Sequence, residues 1–257
     1  MTYADERAGR ESMFLSGAWN FRDVAGPKHR AGAGIVTGNL YRSSTLSYLD
    51  PEGQRRLARL GIDVIVDLRR AAEIDVAGAD LVPPDVTLIH SPFDTSLSVT
   101  AAHEMPLMDS DEQRYDYMLR QYRRFTTSAG AGSAIRRVVD LLIDRQGSVL
   151  VHCAAGKDRT GWLCAAVLAG AGVPRGDIFE DFLASNESTE DLRAVMRATN
   201  PHADLSEYLV GAHTGYLDAA FSEVERCYGS MYGYLDSIGV DTSSREMLRQ
   251  VLYPLNT

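Results

Sequence analysis

Along the chain, short apolar runs bounded by turn residues alternate with longer stretches whose apolar positions recur three and four apart. The first pattern reads as buried strand and the second as helix. Residues 34–42 read as a short strand or hairpin. Asp50-Pro51-Glu52 then opens a helix, with Asp50 as N-cap and Pro51 at the first helical position. Gly61 ends that helix, where a left-handed residue is least costly. Val64-Ile65-Val66-Asp67-Leu68 is a run of buried-strand type, and residues 86–90 form a second after the Pro83-Pro84 turn. Between Asp94 and Gly132 the pattern weakens to one helical stretch near residues 115–125, so about 95–130 reads as a partly mobile surface insertion. Ile135, Val138, Val139 and Leu142 restore a helical stripe over 134–145. Residues 148–152 form a strongly apolar strand, followed by a turn and a helix from about 159 to 171 closed by Gly172. Everything beyond Pro174 reads as helical, in several segments. The implied fold class is α/β, a mainly parallel central sheet flanked by helices, with a helical C-terminal third. A single domain over residues 1–257 is expected.

Composition narrows the function classes. A 45% hydrophobic and 24% charged chain is neither fibrous nor wholly disordered. A net charge of −9 argues against a surface that coats nucleic acid. No run of about 18 apolar residues occurs, so no transmembrane segment is expected. The first seven residues lack the basic-then-apolar layout of a secretory signal, which points to the cytoplasm or to export without a cleavable signal. Cys153, Cys164 and Cys227 are too few and too scattered for a disulfide framework or a zinc site, and no metal or cofactor is expected. Lysine stands only at Lys28 and Lys157 in an otherwise arginine-using chain.

The candidate chemistry lies in His152-Cys153-Ala154-Ala155-Gly156-Lys157-Asp158-Arg159-Thr160-Gly161. A buried strand delivers a cysteine to its C-terminal end, five turn residues follow, and an arginine comes sixth as a helix begins. Ligands of open α/β sheets bind at such strand ends. A loop bent over a helix N-terminus gathers backbone N–H groups into one concavity, which suits a phosphate dianion. The same dipoles and Arg159 favour thiolate, the nucleophilic form of Cys153. Arg159 offers a planar fork for two phosphoryl oxygens. A chance His-Cys-x5-Arg is expected only about 0.007 times in a chain of this composition. A free cysteine at a strand end is most often a buried small hydrophobe, and it is the context that argues otherwise. Walker A, Gly-x-Ser-x-Gly and Cys-x-x-Cys patterns are absent. A phosphate-docking module without turnover and a sulfurtransferase are the competing readings.

The loop resembles the signature of cysteine-based protein tyrosine phosphatases, in particular the bacterial tyrosine/serine phosphatases of the mycobacterial PtpB type. Residues 17–25 and Leu40-Tyr41-Arg42-Ser43-Ser44 are similar to that family's N-terminal segments. Asp67-Leu68-Arg69-Arg70 with Glu73 resembles its central motif, and Asp181-Phe182-Leu183-Ala184-Ser185-Asn186 its helical segment after the loop. The resemblance spans about 17–255 and implies the cysteine-phosphatase fold, no metal, and a helical lid at about 186–240. It also implies a phosphorylated protein or phosphoinositide as the partner.

Under this reading Cys153 attacks phosphorus, and the loop residues Ala154, Ala155, Gly156, Lys157, Asp158 and Arg159 bind phosphate. Thr160 hydrogen-bonds the sulfur, and His152 supports the thiolate locally. The leaving group needs a proton, and three aspartates compete to give it. Asp67, at a strand end, resembles the family's proposed acid. Asp158 lies inside the loop, an odd place for a negative charge beside a dianion. Asp94 follows the next strand. Lys157 is expected as a flexible rim cation favouring substrates with several phosphates, and Arg69-Arg70 and Arg136-Arg137 mainly as solvated faces.

Overall fold

In the computed structural model, which describes residues 15–24, 35–93, 108–144 and 147–253, five strands form one sheet in the order β1-β2-β5-β3-β4. These are β1 (Arg22–Asp23), β2 (Leu40–Ser43), β3 (Ile62–Asp67), β4 (Thr87–His90) and β5 (Ser148–His152). Only β1 runs antiparallel, on β2; all other pairs are parallel. The expected α/β class with a mainly parallel sheet is therefore observed. In the ladder, Ser43 and Asp67 lie opposite His152, and Asp67 opposite His90. One row of C-terminal strand ends therefore carries four polar residues, with β5 at its centre.

Side-chain alternation divides the sheet into two faces. Val149, Val151 and Cys153 of the β5 stretch, with Val64, Val66 and Leu68 after and along β3, pack into the large cluster beneath the later helices. Leu150 and Ile65 face the other way, into a smaller cluster with Leu57, Leu46 and Phe21. The connection from β2 to β3 carries the Pro51–Arg59 helix on this smaller face, where Leu57 is buried. The connection from β4 to β5 carries the Asp111–Phe125 and Ala129–Ile143 helices on the other. Crossovers on opposite faces leave the end of β5 open between them.

Residues 111–125 extend the helical stretch expected within the mobile insertion. They form a helix capped by Ser110, whose hydroxyl accepts from the Gln113 N–H. Met118, Tyr122 and Phe125, spaced by four and three, bury one stripe in the main core. The rest of the expected insertion, including Asp94, lies outside the described residues up to 107. Ser128 caps the next helix, which begins several residues before its apolar stripe. The Ala71–Ala77 helix, which the apolar pattern does not announce, buries none of its residues. Among the described residues no helix is long and apolar enough to cross a membrane.

Candidate active site

Cys153 directly follows β5 at 2% exposure, and the Asp158–Gly170 helix starts five residues later. The loop between them is built by its carbonyl groups. Ala154 O accepts from Thr45 N at 3.1 Å. Asn20 Nδ2 donates to Ala155 O at 3.1 Å and to Gly156 O at 2.9 Å. Arg42 Nη2 donates to Gly156 O at 2.8 Å and to Lys157 O at 3.3 Å. Lys157 O also accepts from Gly161 N at 2.8 Å. All four carbonyls are thus engaged from outside the turn. Among the described residues, the N–H groups of Ala154, Ala155, Gly156 and Lys157 donate to no protein acceptor. Backbone donors without a protein partner are open to water or a ligand.

Gly156 makes the turn possible. Its φ is +64°, and a Cβ there would stand 2.2 Å from Ser43 O. Both the left-handed backbone and the close approach to β2 exclude a side chain.

Arg159 is held from behind by Glu73. Its Nη1 and Nη2 each donate to one Glu73 carboxylate oxygen at 2.6 Å. Burial raises the Glu73 carboxyl, but Arg159 and the Arg70 N–H outweigh it and bring the group down to about 2. Burial weakens the Arg159 charge while Glu73 and Cys153 raise its pKa above the ordinary value. With two N–H bonds spent on Glu73, the Nε edge of the guanidinium stays available for two phosphoryl oxygens.

Four ionisable side chains on the opposite face, Asp67, Arg69, Asp80 and His152, form a separate buried cluster. Asp67 accepts from Arg69 through Nε at 3.0 and 3.1 Å, Nη2 at 2.8 Å and the backbone N at 2.9 Å. Arg69 also reaches Asp80 at 2.9 Å, and Thr45 and Ser47 at 2.8 Å each. His152 Nε2 stands 2.7 Å from Asp80 Oδ2, and its Nδ1 lies 3.3 Å from Cys153 O. Burial raises Asp80, but His152 and Arg69 hold it below the usual carboxylate range. Three of these groups, Asp67, Asp80 and His152, converge closely enough to suit a metal ion. Arg69 within the same cluster already supplies the positive charge. Arg69 was expected on a solvated face; at 1% exposure it is instead the hub of this cluster.

Asp158 opens the helix with its side chain partly exposed, and its Oδ1 accepts from the buried Tyr122 hydroxyl at 2.8 Å. Lys157 is not a rim cation. It is 3% exposed, and its Nζ donates to Leu209 O at 2.6 Å and Gly211 O at 3.1 Å. Those carbonyls close a four-residue helix, Glu207–Val210, whose open end needs donors. Thr160 is buried, and its hydroxyl has no hydrogen-bond partner among the described residues.

The structure thus brings Cys153, Arg159, Thr160 and Asp158 to one loop and sets Asp67 with His152 on another face. Glu73 and Asp80 have no place in the reading of the loop alone. Their signal was faint: an acidic residue six after Asp67, and an aspartate in a Gly-Ala-Asp turn.

Residues 13–253 match the model of the tyrosine phosphatase family. The chain belongs to the tyrosine phosphatase family. This phosphatase, a phosphoric monoester hydrolase, is 36% identical to the triple specificity protein phosphatase PtpB of Mycobacterium tuberculosis, over 93% of this chain and 98% of that protein. It is 28% identical to a tyrosine-protein phosphatase of Nostoc commune, over 81% and 72% of the two chains. The phosphatase also aligns with the crystal structure of TpbA from P. aeruginosa, at 19% identity and a TM-score of 0.32, over 67% of this chain and 85% of that one.

Proposed function

We propose that this protein phosphatase hydrolyses phosphotyrosine through a phosphocysteine intermediate. The observation that carries the reading is the loop: four carbonyls tied outward, four amides unpaired, a cysteine at one end and a braced arginine at the other. The amides and Arg159 bind the phosphoryl oxygens, and the Cys153 sulfur attacks phosphorus as the ester oxygen departs. Water then displaces the sulfur, which leaves as thiolate; the Thr160 hydroxyl, expected to hydrogen-bond it, makes no hydrogen bond to the sulfur in the free site. His152 supports the strand end through its contacts with Asp80 and Cys153 O. Phosphoserine and phosphothreonine extend the substrate range by similarity to a phosphatase named for triple specificity.

For the acid we assign Asp158. One of its oxygens is held by Tyr122, and the other has no hydrogen-bond partner among the described residues. Asp67 has both oxygens bonded to Arg69 and faces away from the cluster that holds Cys153. Asp158→Asn is expected to slow aryl phosphates with poor leaving groups by about 10²–10³-fold and good ones far less. A leaving-group series in which Asp67→Asn shows that gradient, and Asp158→Asn does not, would reverse the assignment.

The function itself is tested with wild-type protein on p-nitrophenyl phosphate and a phosphotyrosine peptide. Acid quenching during turnover should trap phosphate on residue 153. Turnover with no trapped phosphate and no burst would count against the covalent route. Phosphoinositide turnover has weaker physical support, because the cation meant to favour it is occupied elsewhere. Lys157→Ala should therefore lower phosphotyrosine and phosphoinositide turnover by similar factors, within about threefold of each other. A loss confined to the phosphoinositide would show that Nζ leaves Leu209 and Gly211 to meet substrate.

A further inference from the structure

Three segments that carry none of the reaction chemistry converge behind the loop. They are Asn20 to Arg22, Arg42 on β2, and Asp181 with Ser185 beyond the catalytic helix. Arg42 is fully buried, and Asn20, Arg22 and Asp181 are nearly so. Arg22 Nε donates to Asp181 Oδ1 at 2.9 Å, while Arg42 Nη1 donates to Asp181 Oδ2. Arg22 Nη2 reaches Asp181 O at 2.7 Å and Ser185 Oγ at 3.2 Å. Arg22 Nη1 donates to Asn20 Oδ1. This last bond decides which way the Asn20 amide points. Its oxygen is claimed by a group that can only donate, so its nitrogen must face the two loop carbonyls. Asn20 holds φ +55°, the left-handed region, and is the non-glycine residue that does so among the described residues. Asparagine tolerates that conformation better than most side chains.

Why such a costly assembly is buried here needs an answer. A buried ion cluster is weak evidence for stability, since apolar packing of the same volume often serves as well or better. Orientation gives the better account. Among the described residues the two guanidinium groups share one carboxylate, Asp181, so a positive charge is left beneath the loop. Burial pushes Asp181 up, but both arginines hold it below the usual range. Two further donors of the assembly, Asn20 Nδ2 and Arg42 Nη2, end on three consecutive loop carbonyls. A peptide whose oxygen is tied outward has its N–H on the opposite side. Gly161 lets the catalytic helix pack down on this assembly, because a Cβ there would meet Phe182 at 2.9 Å and Arg42 at 3.3 Å.

We propose that Asn20 and Arg42 are positioning residues of the phosphate cradle. By holding the carbonyl oxygens of Ala155, Gly156 and Lys157 outward, they aim the loop amides at the transferring phosphoryl group. Arg22 and Asp181 fix them in place. The proposal rests on the reading of residues 153–159 as the phosphate site and adds the elements that shape it.

The test is Asn20→Asp, which keeps the side-chain shape and the oxygen facing Arg22 but turns an oxygen on two carbonyls. The inhibition constant for vanadate is expected to rise about 10–100-fold, with KM for p-nitrophenyl phosphate rising alongside. Alkylation of Cys153 by iodoacetamide at pH 6 should slow in the same variant. A merely structural role would lower Tm and leave vanadate binding by the folded protein unchanged, and that result overturns the proposal. Should Asn20→Asp fail to fold, Asn20→Ala decides, since it deletes the two loop bonds without adding a charge, together with the bond from Arg22; wild-type vanadate affinity there also overturns it. Wild-type protein separates the two claims. If it neither hydrolyses p-nitrophenyl phosphate nor binds vanadate, the functional reading falls. If it does both and both variants bind vanadate equally well, the positioning role alone falls.

Discussion

Cys153→Ser abolishes turnover of p-nitrophenyl phosphate while vanadate and phosphopeptide still bind. The expected loss in kcat is on the order of 10⁴-fold or more, the scale seen when a nucleophile is removed from a machinery that acts as a unit. The reason is chemical. A serine hydroxyl at this place is not ionised at neutral pH and is a poor leaving group from phosphorus, so both half-reactions fail. Nothing in the cradle depends on the sulfur. The loop carbonyls are held by Asn20, Thr45 and Arg42, and Arg159 is held by Glu73, so the anion site persists in the variant. The dissociation constant of a phosphotyrosine peptide, measured by calorimetry, should stay within about threefold of a non-hydrolysable analogue's on wild type. Activity that survives the substitution would end the cysteine mechanism. Loss of binding together with loss of turnover would mean that Cys153 is packing and not chemistry, as its place in the apolar cluster alone would suggest.

How far the sequence reaches is clear from particular residues. The strand into Cys153 and the helix after it were legible because each level of the chain agrees there. An apolar run is followed by a glycine turn, and then by a helix bounded by Gly172. The sheet class followed from the alternation of runs, and its polar strand ends from Asp67 and His152 closing two of them. What escaped was whatever depends on which way a side chain turns. Lys157 looked like a surface cation because lysine usually is one; the carbonyls of Leu209 and Gly211, some fifty residues on, bury it. Arg69 looked solvated for the same reason, and Asp67 and Asp80 on either side of it in sequence enclose it. The short Ala71–Ala77 helix shows no periodicity because it buries no stripe; it matters for presenting Glu73. Parity could have warned about Asp67, since Val66 and Leu68 on one face place Asp67 on the other. That step needs the strand's exact register, which a five-residue run does not secure.

Glu73→Gln is the substitution outside the loop with the largest expected cost. The neutral amide keeps the shape but turns a nitrogen on one of the two Arg159 nitrogens, so a bidentate bond becomes one bond and one repulsive contact. Arg159 then swings among rotamers in a site where a displacement of about 1 Å can cost about 10²-fold in rate. The expected result is a fall in kcat/KM of about that size, with weaker vanadate binding, although Glu73 touches no substrate. The same pair stabilises the fold, and the sign of its pH dependence follows from the shift. Glu73 falls from its ordinary 4.5 to about 2 in the folded chain. The stabilisation is therefore fully present above about pH 4.5 and is lost as pH drops towards 2, amounting to about 3 kcal/mol at neutrality. Urea midpoints of wild type and Glu73→Gln should accordingly differ clearly at pH 7 and draw together by pH 3. A gap that stays constant across that range would show that the cost of the variant comes from packing, not from the carboxylate charge that braces Arg159.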